Sequence, residues 1–145
     1  MSEVLHLYQC MAHGKPVHEF EEVFAVENKG FKDCLHGQIG SLRQILMMEQ
    51  ETLEEFGIAP GRSKESITTY GIALGTELIG QRLRVGEAVL EVTEPGTTCH
   101  LLDEIREGLQ ADIEGRRGLF CRVVKSGRIR RGDRIEIEEN ARDAS

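Results

Sequence analysis

Apolar residues in this chain fall into short runs bounded by turn-type residues, the spacing of strands rather than of long helices. VLHLYQCMA (4–12), EEVFAVEN (21–28) and LRQILMM (42–48) are β-branched or apolar runs of strand length. RLRV (82–85) and AVLEVTE (88–94) are separated only by Gly86-Glu87, a hairpin signal. LFCRVVKSGRIRRGDRIEIEE (119–139) predicts three short strands, with turns at Ser126-Gly127 and Arg131-Gly132-Asp133. Within it Ile129, Ile135 and Ile137 alternate with charged neighbours, as in half-buried antiparallel strands. Two segments change period. Glu49 to Phe56 predicts a helix ending at Gly57, a C-cap glycine. A second helix is expected from Thr98 or Cys99 to Gly108, with Leu101, Leu102, Ile105 and Leu109 at helical spacing and Asp103 and Glu104 near its positive end. Many short strands, hairpin turns and sixteen glycines predict a small barrel or rolled-up antiparallel sheet with a few helices.

Composition narrows the class. A chain of 145 residues suits one domain with a real core, and without Trp that core rests on Val, Ile and Leu. No apolar run approaches the roughly 20 residues of a membrane helix. The first residues, MSEVLHLYQCMAHGK, show no signal-type block, so the expected location is cytoplasmic. The polar end, residues 140–145, reads as a tail behind a domain spanning 1–139. The cysteines, Cys10, Cys34, Cys99 and Cys121, form no C-x-x-C pair, and in a reducing compartment disulfides are not expected. Cys10 and Cys121 sit in apolar stretches and read as buried fillers.

The formal net charge is −7, yet Arg116 to Arg134 holds eight basic residues against one acid, Asp133. An acidic chain with one basic stretch is a poor nucleic-acid binder and a better holder of a small anion; a solvated strand face is the commoner explanation of such a run. No G-x-G-x-x-G or Walker loop is present. Four places carry possible chemistry. Cys99 follows a strand and a Pro95-Gly96 turn at an expected helix start, where a thiolate is favoured; reactive thiol and buried filler both remain open there. Asp33, Cys34 and His36 are metal ligands by type but match no complete zinc pattern, and on type and spacing alone a loop with local turn bonds is the better reading. Ser66, Thr68 and Thr69 lie in a polar stretch, 65–72, read as a loop whose hydroxyls either donate to an oxyanion or serve as caps. Arg43 is a charge within the apolar strand SLRQILMM.

The order of these pieces resembles the MOSC domain family, the module named after the C-terminal part of molybdenum cofactor sulfurases. The resemblance is carried by Lys32-Asp33-Cys34-Leu35-His36, Arg43-Gln44 and Glu65-Ser66-Ile67-Thr68-Thr69-Tyr70-Gly71-Ile72. It continues through the 83–93 hairpin (LRVGEAVLEVT), Cys99 and the segment from Gly118 to Asp133. Lys32, Ser66, Thr97 and Thr98 depart from the usual pattern, where glycine, asparagine, a basic residue and proline are common. The resemblance implies a mainly β, small closed barrel-like fold with a few short helices. It implies a sulfur-carrying or molybdenum-ligating role for Cys99, with Arg43, Ser66, Thr68, Thr69, Arg122, Asp33 and His36 binding a molybdenum cofactor (molybdopterin). The implied partner is that pterin or a sulfur-donor protein of the cysteine desulfurase type, with no nucleic acid and no membrane. Two other readings follow from it: a small molybdenum-dependent reductase component acting on N-hydroxylated compounds, and a non-catalytic binding barrel.

Overall fold

The computed structural model describes residues 2–9, 18–32, 39–59, 61, 65–97 and 101–138. Eleven strands run through it: β1 (Glu3–Gln9), β2 (His18–Phe20), β3 (Glu22–Val26), β4 (Gly30–Phe31), β5 (Ile45–Glu49), β6 (Ile67–Tyr70), β7 (Arg82–Val85), β8 (Ala88–Pro95), β9 (Leu119–Lys125), β10 (Gly127–Arg130) and β11 (Ile135–Glu138). Helix α1 (Gln50–Glu55) follows β5, and α2 (Leu101–Ile105) and α3 (Leu109–Asp112) lie between β8 and β9. A single 3-10 turn covers Thr76–Leu78. None of the described helices is long and apolar enough to cross a membrane.

The strands form an eight-stranded sheet, β11-β7-β8-β9-β5-β6-β1-β2, and a three-stranded sheet, β10-β3-β4. All described pairings are antiparallel except β5 with β6. The β7–β8 hairpin forms as expected: Val85 stands opposite Ala88, and Gly86 supplies the left-handed conformation (φ 59°) of its two-residue loop. Helix α1 ends in a Schellman cap, Gly57 at φ 69° donating to the Glu54 carbonyl and Ile58 to that of Leu53.

Four expectations are corrected. The large sheet is open rather than a closed barrel: β11 and β2 are its ends, and the start of β1 meets the turn before β11 through the isolated bridge Glu3–Arg134, with bonds from Val4 N–H to the Asp133 carbonyl, Gly132 N–H to the Val4 carbonyl and Ile135 N–H to the Ser2 carbonyl. Ser126-Gly127 makes no hairpin, because β9 and β10 belong to different sheets. Gly127 is needed for close approach: a Cβ there would lie 2.4 Å from the Glu87 carbonyl. The second expected helix is broken by Gly108 (φ 81°) into α2 and α3. Ile137 is exposed, whereas Ile129 and Ile135 are buried.

Two apolar clusters stabilise the fold. One is built from Leu7, Ile45, Met47, Ile67, Leu90, Leu119, Cys121 and their neighbours between the sheets. The other, Met48, Leu53, Ile58, Leu102, Leu109 and Ile113, packs all three helices against one end of β5. Adjacent residues of β5 therefore serve opposite faces, Met47 in the first cluster and Met48 in the second.

Candidate functional site

The chain around Cys99 is anchored on both sides. At the end of β8, Pro95 pairs with Leu119, and Gly96 N–H donates to the Gly118 carbonyl at 2.8 Å. The two segments pass so closely that a Cβ on Gly96 would sit 2.2 Å from the Arg117 carbonyl oxygen, and one on Gly118 would sit 2.0 Å from that of Met47. After the cysteine, Leu102 of α2 is buried against the helix cluster. Cys99 itself, with Thr98 and His100, lies outside the described residues. So do Asp33, His36, Cys34, Cys10 and the 140–145 tail. Cys121 is the one free cysteine among the described residues. It is buried with Sγ 3.5 Å from Met47 Sδ, and burial pushes its thiol up to about 12. It is filler, as its apolar setting predicted.

Arg43 does not lie in the strand expected for it. Its N–H bonds to Ser41 Oγ in a turn, and the β5–β9 ladder begins only at Ile45 opposite Cys121. A register shift between Val92 and Glu94 turns Thr93 towards this segment, where its hydroxyl contacts the carbonyls of Leu42 and Phe120. The Arg43 guanidinium lies over the Phe120 ring, 5.0 Å from its centre, with Nε donating to Glu94 at 2.7 Å. Arg122, two residues along β9, donates to Glu91 at 2.8 Å, and Arg82 approaches the same carboxylate at 3.8 Å. The two arginines thus share a strip of the sheet with Phe120, each matched by a carboxylate of β8.

The expected polar loop 65–72 is largely strand β6, inserted between β5 and β1. Its hydroxyls face protein. Thr68 is fully buried and donates to Glu65 Oε2 at 3.0 Å; Thr69, also buried, reaches the Met48 carbonyl at 3.4 Å. Ser66 Oγ accepts from Leu46 N–H at 3.2 Å. The fully buried Glu65 carboxylate also accepts the Gly61 N–H at 2.9 Å, so it ties the strand to the loop before it. Against that loop packs Tyr8, whose phenol is pushed well above its ordinary value by burial, then by the charges of Glu19 and Glu65, with Arg131 opposing them.

The structure thus brings Arg43 and Arg122 to one strip and Ser66, Thr68 and Thr69 to another part of the sheet, and every one of these five side chains has a protein partner. They do not fit a pterin phosphate cradle: the threonines are buried, and Glu91 and Glu94 set negative charge beside the arginines. Among the described residues there is also no group of three or more His, Cys, Asp or Glu placed to hold a metal ion. The reading from sequence missed the buried Glu65 and the two β8 acids. Glu91 and Glu94 were visible as charges in AVLEVTE, but their partners depend on cross-strand register.

A family model described as MOSC domain matches residues 36–136. No curated protein matches the chain significantly. Among solved structures, the YuaD protein from Bacillus subtilis is similar with a TM-score of 0.77 and 18% identity, covering 97% of each chain. YiiM from Geobacillus stearothermophilus matches with a TM-score of 0.73 and 19% identity, over 96% of this chain and 76% of that one. YiiM from Escherichia coli matches with a TM-score of 0.70 and 18% identity, over 95% and 70%. At these identities the likeness speaks to the fold.

Proposed function

Because the chain belongs to the MOSC domain family, we propose that it is a sulfur carrier whose acceptor atom is the Cys99 sulfur. One observation carries the choice of residue. The link holding Cys99 is pinned at Gly96–Gly118 before it and at Leu102 after it, only six residues apart. Cys121 is no competitor, since a thiol at about 12 holds almost no thiolate at neutral pH.

The step needs no outside oxidant. The Cys99 thiolate attacks the terminal sulfur of a persulfide on a donor protein of the cysteine desulfurase type. A new S–S bond forms as the donor's S–S bond breaks, and the electron pair leaves on the donor thiolate. A thiol kept reduced for this purpose suits the cytoplasmic location expected from sequence. The family's association with the molybdenum cofactor makes that cofactor's maturation the natural destination of the sulfur. No step is assigned to the cofactor on this chain, because the five described residues expected to hold it are engaged with protein groups.

The test is to incubate the reduced protein with a persulfide donor and map the added sulfur by peptide mass spectrometry. The expected result is one added sulfur on the Cys99 peptide, absent in Cys99→Ser. Equal loading of Cys99→Ser and wild type would refute the assignment.

A further inference from the structure

We propose, resting on the assignment of Cys99 as the sulfur acceptor, that Arg117 is a positioning residue for that sulfur: its buried guanidinium favours the negatively charged persulfide over the neutral thiol. Two adjacent arginines leave the link between α3 and β9 in opposite directions. Arg116, whose N–H closes a turn onto the Ile113 carbonyl at 2.8 Å, lies over the Phe56 ring and binds Glu55 at the surface. Arg117 turns inwards and is only 8% exposed. Its Cγ lies 3.2 Å from the position that a Gly96 Cβ would take, so its side chain runs beside the segment that leads to Cys99. Cys99 is three residues beyond Gly96, a span that the chain cannot stretch past about 11 Å.

Other sources of positive charge for this link are weak. Helix α2 spans only Leu101–Ile105, and Asp103 and Glu104 already occupy its first turn. Arg43 faces Glu94 and Arg122 faces Glu91. Arg117 engages a protein group as well, but a guanidinium has five N–H donors and is not exhausted by one partner. A cation held out of water is little screened and so acts at this range. At an effective dielectric of about 20, a unit charge about 10 Å away shifts an ionic equilibrium by roughly tenfold.

The probe is glutathione persulfide, equilibrated with the full chain at pH 7 at a fixed ratio to reduced glutathione. The Cys99 sulfur attacks the terminal sulfur of the probe; one S–S bond forms, one breaks, and the glutathione sulfur leaves with the electron pair and takes up the Cys99 proton. The site is neutral before this exchange and carries one negative charge after it. Sulfur on the Cys99 peptide is quantified by mass spectrometry. Arg117→Gln and Arg117→Met should each lower the exchange constant by roughly tenfold; they differ in polarity, so the comparison stands if one of them does not fold. Arg117→Lys should restore most of the loss, which a merely structural role would not allow, and Arg116→Gln should leave the constant unchanged. Wild-type loading in the neutral variants, no recovery in Arg117→Lys, or an equal fall in Arg116→Gln would each overturn the role of Arg117 while leaving sulfur on Cys99. No sulfur on Cys99 in the wild type would instead remove the acceptor assignment, and the role of Arg117 with it.

Discussion

The close passage of Gly96 against the 117–118 segment allows backbone conformation and space to be separated. Gly40 and Gly118 share the same φ, 81°, but a Cβ on Gly40 meets nothing within 4 Å, whereas on Gly118 it lies 2.0 Å from the Met47 carbonyl oxygen. Gly96 has no positive φ, yet its Cβ would lie 2.2 Å from the Arg117 carbonyl oxygen. Gly40→Ala therefore bears only the left-handed cost, about 1–2 kcal/mol. Gly96→Ala bears only the forced separation of two strands, about 1–3 kcal/mol by analogy with overpacked cores. Gly118→Ala bears both, about 2–5 kcal/mol. At this chain length each kcal/mol lowers the melting temperature by roughly 2–4 °C, so Gly118→Ala should melt roughly 10 °C below wild type. Urea titration of the three variants supplies the free energies directly. Combining the Gly96 and Gly118 changes should cost at least the sum, since the 117–118 segment lies between β8 and β5 and moving it away from Met47 drives it towards Gly96. A Gly118→Ala protein no less stable than Gly40→Ala would refute the reasoning.

Two further outcomes follow from the polar contacts. Thr68→Val removes a donor from the buried Glu65 carboxylate and should cost about 1–3 kcal/mol, whereas Thr69→Val, whose contact is a long 3.4 Å, should cost clearly less; equal melting temperatures would contradict this. Glu55 is held below its ordinary carboxylate value mainly by its bonds to Arg116, at 2.7 and 3.2 Å. Its folded-state value is thus the lower one, and the stabilisation it gives is present above the unfolded carboxylate range and lost as pH falls through the folded value. The stability gap between wild type and Glu55→Gln, read from urea titrations, should be open at pH 7 and closed at strongly acid pH; a gap that does not change with pH would count against it.

The strands were legible where an alternating or apolar run meets a turn residue, as in Arg82–Val85, buried at every second position, and Ala88–Pro95, which opens with three buried residues, on either side of Gly86. Helix α1 was legible because its glycine cap is a local event. Strand β6 was not, because Thr68 and Thr69 are polar residues at fully buried places, satisfied by Glu65 and by a neighbouring carbonyl. The change of sheet at Gly127 was hidden for a different reason. Ser-Gly looks the same whether the glycine makes a turn or clears space for the Glu87 peptide. At the candidate site, residue types were readable and pairings were not: Arg43 and Arg122 looked available until the β8–β9 register put Glu94 and Glu91 beside them.

The order of the large sheet carries a consequence for how the chain is made. Strand β9 stands between β8 and β5, and apart from the Glu3–Arg134 bridge, whose residue 134 is made later still, the described ladders joining the β11-β7-β8 half to the β5-β6-β1-β2 half run through it. Until residues 119–125 leave the ribosome, a nascent chain holds two separate ladders, each with an apolar strand open along one edge. Such edges invite pairing with other chains. The interval of synthesis between β8 and β9 is therefore when this protein is most exposed to aggregation, and when a chaperone covering the bare β5 and β8 edges would have its greatest effect.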